Sequence, residues 1–259
     1  MINLKTNVYT IDGEVKKELE LPEIFSITPR EDLIHKAFKA ISLSLRQPYG
    51  SSPIAGSRRV GHNLGPNHGI SRIPRISGGS RGVLLASTVG GRSALSPRSD
   101  KVLYKKINKK EIKLAKLSAI ALTSNKDYIV KRGHRISDET LKNITFPIVM
   151  EDDIETITRA KDAITILKNI GLYDDILRAK EGKKIRAGRG KMRNRTYKQP
   201  KSVLIVGSSQ ESLRAFASLP GIDVASLNSL SIRKLAPGGN PGRLTIYTEG
   251  IIEKMRGVE

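Results

Sequence analysis

The sequence predicts an α/β fold: a parallel or mostly parallel sheet with helices on its faces, interrupted by one long extended loop. Three observations predict it. From residue 144 onward, strand-like and helix-like stretches alternate as β-α-β-α-β-α-β-α, the pattern of parallel strands joined by crossover helices. Within that half, Ser202 to Gly207 (SVLIVG) is a continuous apolar run, as in strands buried on both faces. Residues 46–100 hold ten Gly, five Pro and ten Ser without a sustained helical or strand period. Such a stretch cannot bury enough apolar surface to offset its ordering entropy. The chain is therefore expected to be a single α/β globular domain over residues 1–259, with 46–100 as an extended Arg/Gly-rich loop inserted within it.

Residues 2–9 and 15–19 alternate loosely around Asp12-Gly13, a hairpin signal. Thr28-Pro29-Arg30-Glu31 reads as a helix start, with Thr28 as N-cap and Pro29 in the first helical position. Leu33, Ile34, Ala37, Phe38, Ile41 and Leu45 then lie on one helical face. Beyond the loop, Asn108 and Glu111 open a second helix with Ile112, Ala115, Ala119 and Leu122 as its core face. Ile144 to Met150 reads as a strand, and Pro147 within it argues for an edge position or a late start. Asp153 begins a helix carrying Ile154, Ile157, Ile164, Leu167 and Ile170, ended by Gly171. A further helix, Tyr173 to Ala179, precedes the apolar strand. Ser208 with Glu211 then gives a capping box, with Leu213 and Phe216 on the buried side of its helix. A strand at Ile222 to Ala225, a helix at Asn228 to Leu235, a strand at Arg243 to Tyr247 and a helix through Met255 complete the chain.

The net charge of +21 decides the class of partner, because it is concentrated. In residues 46–100 eight Arg face one acid, Asp100, and in residues 178–201 eleven cations face one acid, Glu181. What remains is a near-neutral body carrying two basic segments, the electrostatic footprint of nucleic-acid binding. A membrane surface would call for an amphipathic helix with large apolar residues opposite the charges, and neither segment has one. No apolar run approaches the roughly 18 residues of a membrane span, there is no signal-peptide pattern and there is no Cys. A cytoplasmic location without disulfides or thiolate metal sites is expected.

The loop uses arginine and no lysine. Guanidinium binds phosphate in a bidentate manner and stacks on bases, so Arg58, Arg59, Arg72, Arg75, Arg81, Arg92 and Arg98 are expected RNA contacts in a tightly packed site. In the second segment Lys183, Lys184, Arg186, Arg189, Lys191, Arg193, Arg195 and Lys198 are the candidates, with Gly188 and Gly190 allowing close approach of backbone to phosphate. Tyr49 and Tyr197 are the only aromatics in either stretch, fewer than stacking on single strands would want, so structured RNA fits better. Other signals are weaker. Val206-Gly207-Ser208-Ser209 has the position of a dinucleotide turn but lacks the second and third glycines. His62 and His68 have no Cys or carboxylate near them, and Glu151-Asp152-Asp153 is explained by a helix dipole. No catalytic group, cofactor or metal is expected.

Lys184-Ile185-Arg186-Ala187-Gly188-Arg189-Gly190-Lys191-Met192-Arg193-Asn194-Arg195 resembles the signature of the large-subunit ribosomal protein four family in its archaeal and eukaryotic form. Arg72-Ile73-Pro74-Arg75, Gly90-Gly91-Arg92 and Ser96-Pro97 are similar to that family's long loop, which differs here locally at Val83-Leu84-Leu85. Gly242 to Glu249 (GRLTIYTE) is similar to its last strand. The resemblance runs through essentially the whole chain, and the absence of the long eukaryotic C-terminal extension favours the archaeal type. It implies a Rossmann-like sheet and a structural role in the large subunit, with binding to large-subunit ribosomal RNA early in assembly. It also implies a loop that penetrates the RNA and helps line the polypeptide exit tunnel beside ribosomal protein twenty-two, with residues around Arg72 to Arg81 nearest the tunnel and the nascent peptide near the loop tip. Two other readings stand beside it: an RNA-modifying enzyme with a Rossmann-like cofactor domain, and a free RNA-binding regulator.

Overall fold

The computed structural model describes residues 5–257. The chain divides into two compact units, one of residues up to Ser42 together with those from Lys106 onward, the other Leu43–Lys105. The strands are β1 Lys5–Tyr9, β2 Val15–Glu20, β3 Ile148–Met150, β4 Lys184–Ile185, β5 Tyr197–Lys198, β6 Leu204–Gly207, β7 Asp223–Ser226 and β8 Thr245–Thr248. Six of them form one sheet in the order β2-β1-β3-β8-β6-β7. The pair β1–β2 is antiparallel, joined through a turn in which Gly13 has a φ of 89°. Every other pairing in this sheet is parallel. The helices are α1 Glu31–Ser44, α2 Lys109–Ala121, α3 Lys126–Arg132, α4 Asp138–Asn143, α5 Ala160–Asn169, α6 Tyr173–Glu181, α7 Arg214–Ala217, α8 Ile232–Leu235 and α9 Glu249–Arg256.

The two faces of the sheet bury separate cores. Successive side chains on a strand point to opposite faces. Leu204 and Val206 accordingly join Val8, Val149 and Tyr247 in a core closed by α1, α2, α8 and α9. Ile205 joins Ile148, Met150 and Ile246 in a second core closed chiefly by α5, α6 and α7. The mostly parallel α/β architecture expected from the alternation is the one observed.

Several boundaries differ from expectation. Residues 2–4 of the first expected strand lie outside the described residues. Helix α1 begins two residues late: Arg30 supplies the first accepting carbonyl to Ile34, and its guanidinium pairs with Asp32 at 2.6 Å. Leu45 falls beyond the end of α1 and is 63% exposed, and Ile112 on α2 is 40% exposed. The buried face of α2 is made instead by Ala115, Ser118, Ala119, Ile120 and Ala121. Strand β3 starts late, after Pro147, and lies between β1 and β8 rather than at an edge. The helix expected from Asp153 breaks into a 3-10 turn, Asp152–Thr156, and α5, because residues 157 and 159 are extended. The capping box of Ser208 does not form, since its backbone N–H and hydroxyl both go to Glu155. The helix expected from Asn228 is confined to α8, because Ser226 and Ser229 tie each other into a turn first. The short helices α3 and α4 carry no apolar period long enough to be read from sequence.

In the second unit, residues 46–105 contain neither helix nor strand. Two single-residue antiparallel bridges, His62 with Arg75 and Arg75 with Gly82, stitch it together. Val83 is buried there, whereas Val60, Val89 and Leu95 are 73%, 85% and 96% exposed. Neither core of the first unit draws a residue from 43–105. Deleting residues 55–95 is therefore expected to leave the helix and strand content of the first unit unchanged by circular dichroism, with its cooperative thermal transition intact. Loss of that transition would show that the insertion is part of the fold.

Candidate nucleic-acid interface

The basic segment after α6 is a small hairpin. Strands β4 and β5 pair antiparallel with Lys184 opposite Lys198 and Ile185 opposite Tyr197. A 3-10 turn, Arg189–Met192, makes the tip. It is entered through Gly188, whose φ of 76° suits a residue without Cβ, and left through Asn194 at φ 58°. Arg193 and Arg195 both donate backbone N–H to the Gly190 carbonyl at 3.1 Å.

The arginines here divide into two uses. Arg186 is half-buried, and its guanidinium donates to the carbonyls of Arg195 at 3.1 Å and Tyr197 at 3.2 Å, so it braces the hairpin. Lys183, Lys184, Arg189, Lys191, Arg193, Arg195 and Lys198 are exposed. Lys183 caps the ring of Tyr197 at 4.7 Å. Among the described residues none of these side chains forms an ion pair with a carboxylate. Like charges directly opposite on paired strands are unfavourable, so the hairpin in isolation is electrostatically incomplete.

In the second unit, Arg58, Arg59, Arg72, Arg81, Arg92 and Arg98 are exposed and likewise without a carboxylate partner among the described residues. Arg75 is different. It is half-buried, bonds the Ser80 carbonyl and donates to the Ser71 hydroxyl at 3.1 Å, so most of its reach is spent on its own chain. His62 and His68 are exposed, and among the described residues no three His, Asp or Glu side chains come together as a metal site.

The hairpin is rooted in a buried polar network at the amino ends of the strands. Asp175 on α6 is fully buried. It accepts from Arg178 Nε at 2.8 Å, Ser202 Oγ at 2.6 Å, the Arg135 N–H at 2.9 Å and His134 Nδ1 at 3.0 Å. Burial alone would raise its pKa, but the bonds from His134, Arg178 and Ser202 hold the carboxyl well below the usual range. Arg178 reaches on to the carbonyl of Lys201 at 2.9 Å, so both ends of the basic segment are clamped to each other. Next to them Arg243 is completely buried. It pairs with Asp223 at 2.8 Å and donates to the carbonyls of Ser202 and Lys234 at 2.8 and 2.7 Å. Asp223 also takes Lys201 at 2.7 Å.

His134 has a defined tautomer. The N–H of Leu244 donates to its Nε2 at 3.2 Å, which leaves the proton on Nδ1, facing Asp175. Burial pulls the imidazole below its ordinary pKa, and this outweighs the opposing pull of Asp175. Of these groups Arg243 lies within a motif visible in the sequence, but its burial leaves no local mark there. Asp175 reads as an ordinary acid in the first turn of a helix, and His134 has no sequence neighbour that marks it.

The opposite end of the sheet is acidic. Glu151, Asp152, Asp153, Glu155, Glu211 and Glu249 all follow the carboxyl ends of strands. The turn after β6, where a dinucleotide fold would place its pyrophosphate, is filled by Glu155. Its carboxylate accepts the Ser208 N–H at 2.7 Å and the hydroxyls of Ser208, Ser212 and Thr248. Gly207 is small for this reason: a Cβ there would lie 2.7 Å from Glu155 Oε1. A cofactor phosphate would meet negative charge at this end.

Residues 19–258 match the ribosomal protein L4/L1 family. The chain is 64% identical over 255 residues to large ribosomal subunit protein uL4 of Thermoplasma volcanium, covering 98% of each. It is 60% identical over 258 residues to the uL4 of Thermoplasma acidophilum, covering 100% of each. Against the uL4 of Aeropyrum pernix it is 47% identical over 244 residues, covering 93% of this chain and 88% of that one.

The His134 geometry carries a pH dependence. The unfolded imidazole takes up a proton near its ordinary value of 6.5, whereas the folded one, with its pKa depressed, resists until lower pH. The unfolded state therefore binds more protons as pH falls below 6.5, and its share of stability is lost in that direction. Thermal unfolding followed by circular dichroism between pH 7.5 and 5 is expected to show a falling midpoint. The variant His134→Gln, which does not titrate, is expected to be less stable at pH 7.5 and flatter across the same window. An equally steep decline in the variant would assign the effect elsewhere.

Proposed function

The chain belongs to the ribosomal protein L4/L1 family, and from that premise we propose that its basic hairpin and its arginine-rich unit hold large-subunit ribosomal RNA. Within that family it is a structural constituent of the large ribosomal subunit and not an enzyme. Its partners are accordingly ribosomal RNA and other ribosomal proteins. The observation that carries the RNA reading is the set of exposed cations on a rigid, clamped hairpin with no carboxylate to neutralise them among the described residues. Such groups bind phosphate and release counter-ions, so affinity is expected to fall steeply with salt.

The first unit docks on the RNA by the amino ends of its strands, where the hairpin is rooted. The second unit, with exposed guanidinium groups and little buried apolar surface, orders against RNA as its arginines find phosphates. Arg72 to Arg81 lies along the polypeptide exit tunnel, next to ribosomal protein twenty-two and close to the nascent peptide. This arrangement is reached early in assembly, before the surrounding RNA has closed over the unit.

Two measurements test this reading. In the first, a cell extract is sedimented through a sucrose gradient at about 0.5 M salt, which screens loose surface charges. Stoichiometric recovery of the protein with the large subunit is expected, and recovery at the top of the gradient would refute tight insertion. The second uses Lys184→Gln with Lys198→Gln. Removing the repulsion across β4 and β5 is expected to leave thermal stability unchanged or to raise it, by about 0.2–1 kcal/mol. RNA affinity is expected to move the other way, and the slope of log K against log salt to shrink by about 0.7–0.9 for each phosphate that the variant no longer neutralises. An unchanged slope would remove the hairpin from the interface.

A further inference from the structure

Beside the root of the hairpin lies a cleft of about 460 Å³, lined on one side by Lys131, Arg132, Arg178 and Lys201. Glu31 is the one carboxylate in its wall, and it is engaged by the Tyr128 hydroxyl at 2.6 Å. Arg178 and Lys201 are matched behind the wall by Asp175 and Asp223. Arg132 is not matched. It is half-buried and spends its guanidinium on the carbonyls of Pro237, Asn240 and Pro241. Among the described residues no carboxylate pairs with it. Burial, with repulsion from Arg243 and Arg178 added, draws its pKa down to about 10. Lys131 is exposed beside it, 5.8 Å from the Tyr128 ring centre and also without a carboxylate partner among the described residues. With Arg243 behind them, five cations here face three carboxylates, Glu31, Asp175 and Asp223.

The rest of the wall is made by Pro200, Pro237 and Pro241 together with Tyr128, His134 and Asn240. A cleft of this volume falls within the range of small-ligand sites. A surplus of positive charge beside proline and tyrosine rings suits a phosphate with an attached planar base. We infer that the cleft takes one nucleotide of the bound RNA, its phosphate on Lys131 and Arg132 and its base over the proline rim. This inference rests on the reading that the chain binds large-subunit RNA, and it adds a site separate from the hairpin cations. The site matters because it lies against the network that clamps the hairpin, so a nucleotide held there fixes the register of the hairpin on the RNA.

The test is the salt dependence of binding between the full chain and its large-subunit RNA transcript, for wild type, Lys131→Gln and Arg132→Gln. Each variant is expected to bind about ten-fold more weakly. The two side chains share one phosphate, so the double variant is expected to lower the slope of log K against log salt by about 0.7–0.9, the value for one neutralised phosphate, and Lys131→Gln alone by a measurable part of it. Lys131→Gln changes an exposed side chain and is expected to keep the native thermal transition, so the test stands even where Arg132→Gln unfolds. Ultraviolet cross-linking of the wild-type complex is expected to leave a nucleotide adduct on Tyr128 or Lys131. If Lys131→Gln keeps the wild-type slope while the hairpin variant loses its share, the cleft is empty and this inference fails alone. If wild type shows no salt-dependent binding, the RNA reading fails with it.

Discussion

The buried carboxylate of Asp175 is the group on which the rest of this structure depends. A charge with no exposure is costly unless every lone pair finds a donor. Here four donors come from three places in the chain, His134 with Arg135, Arg178, and Ser202, and Arg243 holds the Ser202 carbonyl one step behind. These residues belong to the loop after α3, to α6, and to the leading ends of β6 and β8. The carboxylate thus holds together the amino ends of strands that are 41 or more residues apart in sequence. Removing one partner from such an arrangement typically costs about 3–5 kcal/mol, a large part of a domain's net stability. The hairpin leaves and returns at this point, so its rigidity is borrowed from the network.

That placement sets the polarity of the first unit. Doubly wound sheets commonly bind anionic cofactors at the carboxyl ends of their strands, where helix N-termini point at the ligand. Here those ends carry carboxylates. Asp152 caps the Gly250 N–H at 2.9 Å, Glu155 fills the turn after β6, and Lys16 and Lys17 of β2 are taken by Glu151 and Glu249. The helix dipoles are answered from within the chain, and these bonds leave no free anion site between them. The cations instead occupy the amino ends, where the dipoles do not favour anions.

The architecture was legible in the sequence because it rests on local signals. The apolar run of β6, the strand–helix alternation and Gly171 after α5 each report a short-range preference. The basic segments were legible because charge concentration needs no structure to be seen. The network was not. Asp175 sits in the first turn of α6, where a carboxylate is expected on dipole grounds, and nothing within several residues tells that it is buried. His134 is 41 residues from Asp175 and 110 from Leu244, so its role exists only after the sheet has assembled. Glu155 left no mark in the same way. Its pull toward Ser208 and Thr248 accompanies the break in a helix that the isoleucine spacing alone would have continued.

Counting cations hides two roles of arginine for a related reason. Arg186, Arg75, Arg132, Arg178 and Arg243 each direct guanidinium nitrogens to carbonyl oxygens of their own chain. They are rigid forks used as internal struts, a use that lysine, with a flexible stem and no planar fork, serves poorly. Arginine thus has two different uses within the same basic segments. The strut residues hold carbonyls that the irregular backbone would otherwise leave unpaired, and the exposed residues of the hairpin have no carboxylate partner among the described residues. A hydrogen bond to a neutral carbonyl leaves the guanidinium charge in place, so the struts fix where that charge sits without cancelling it.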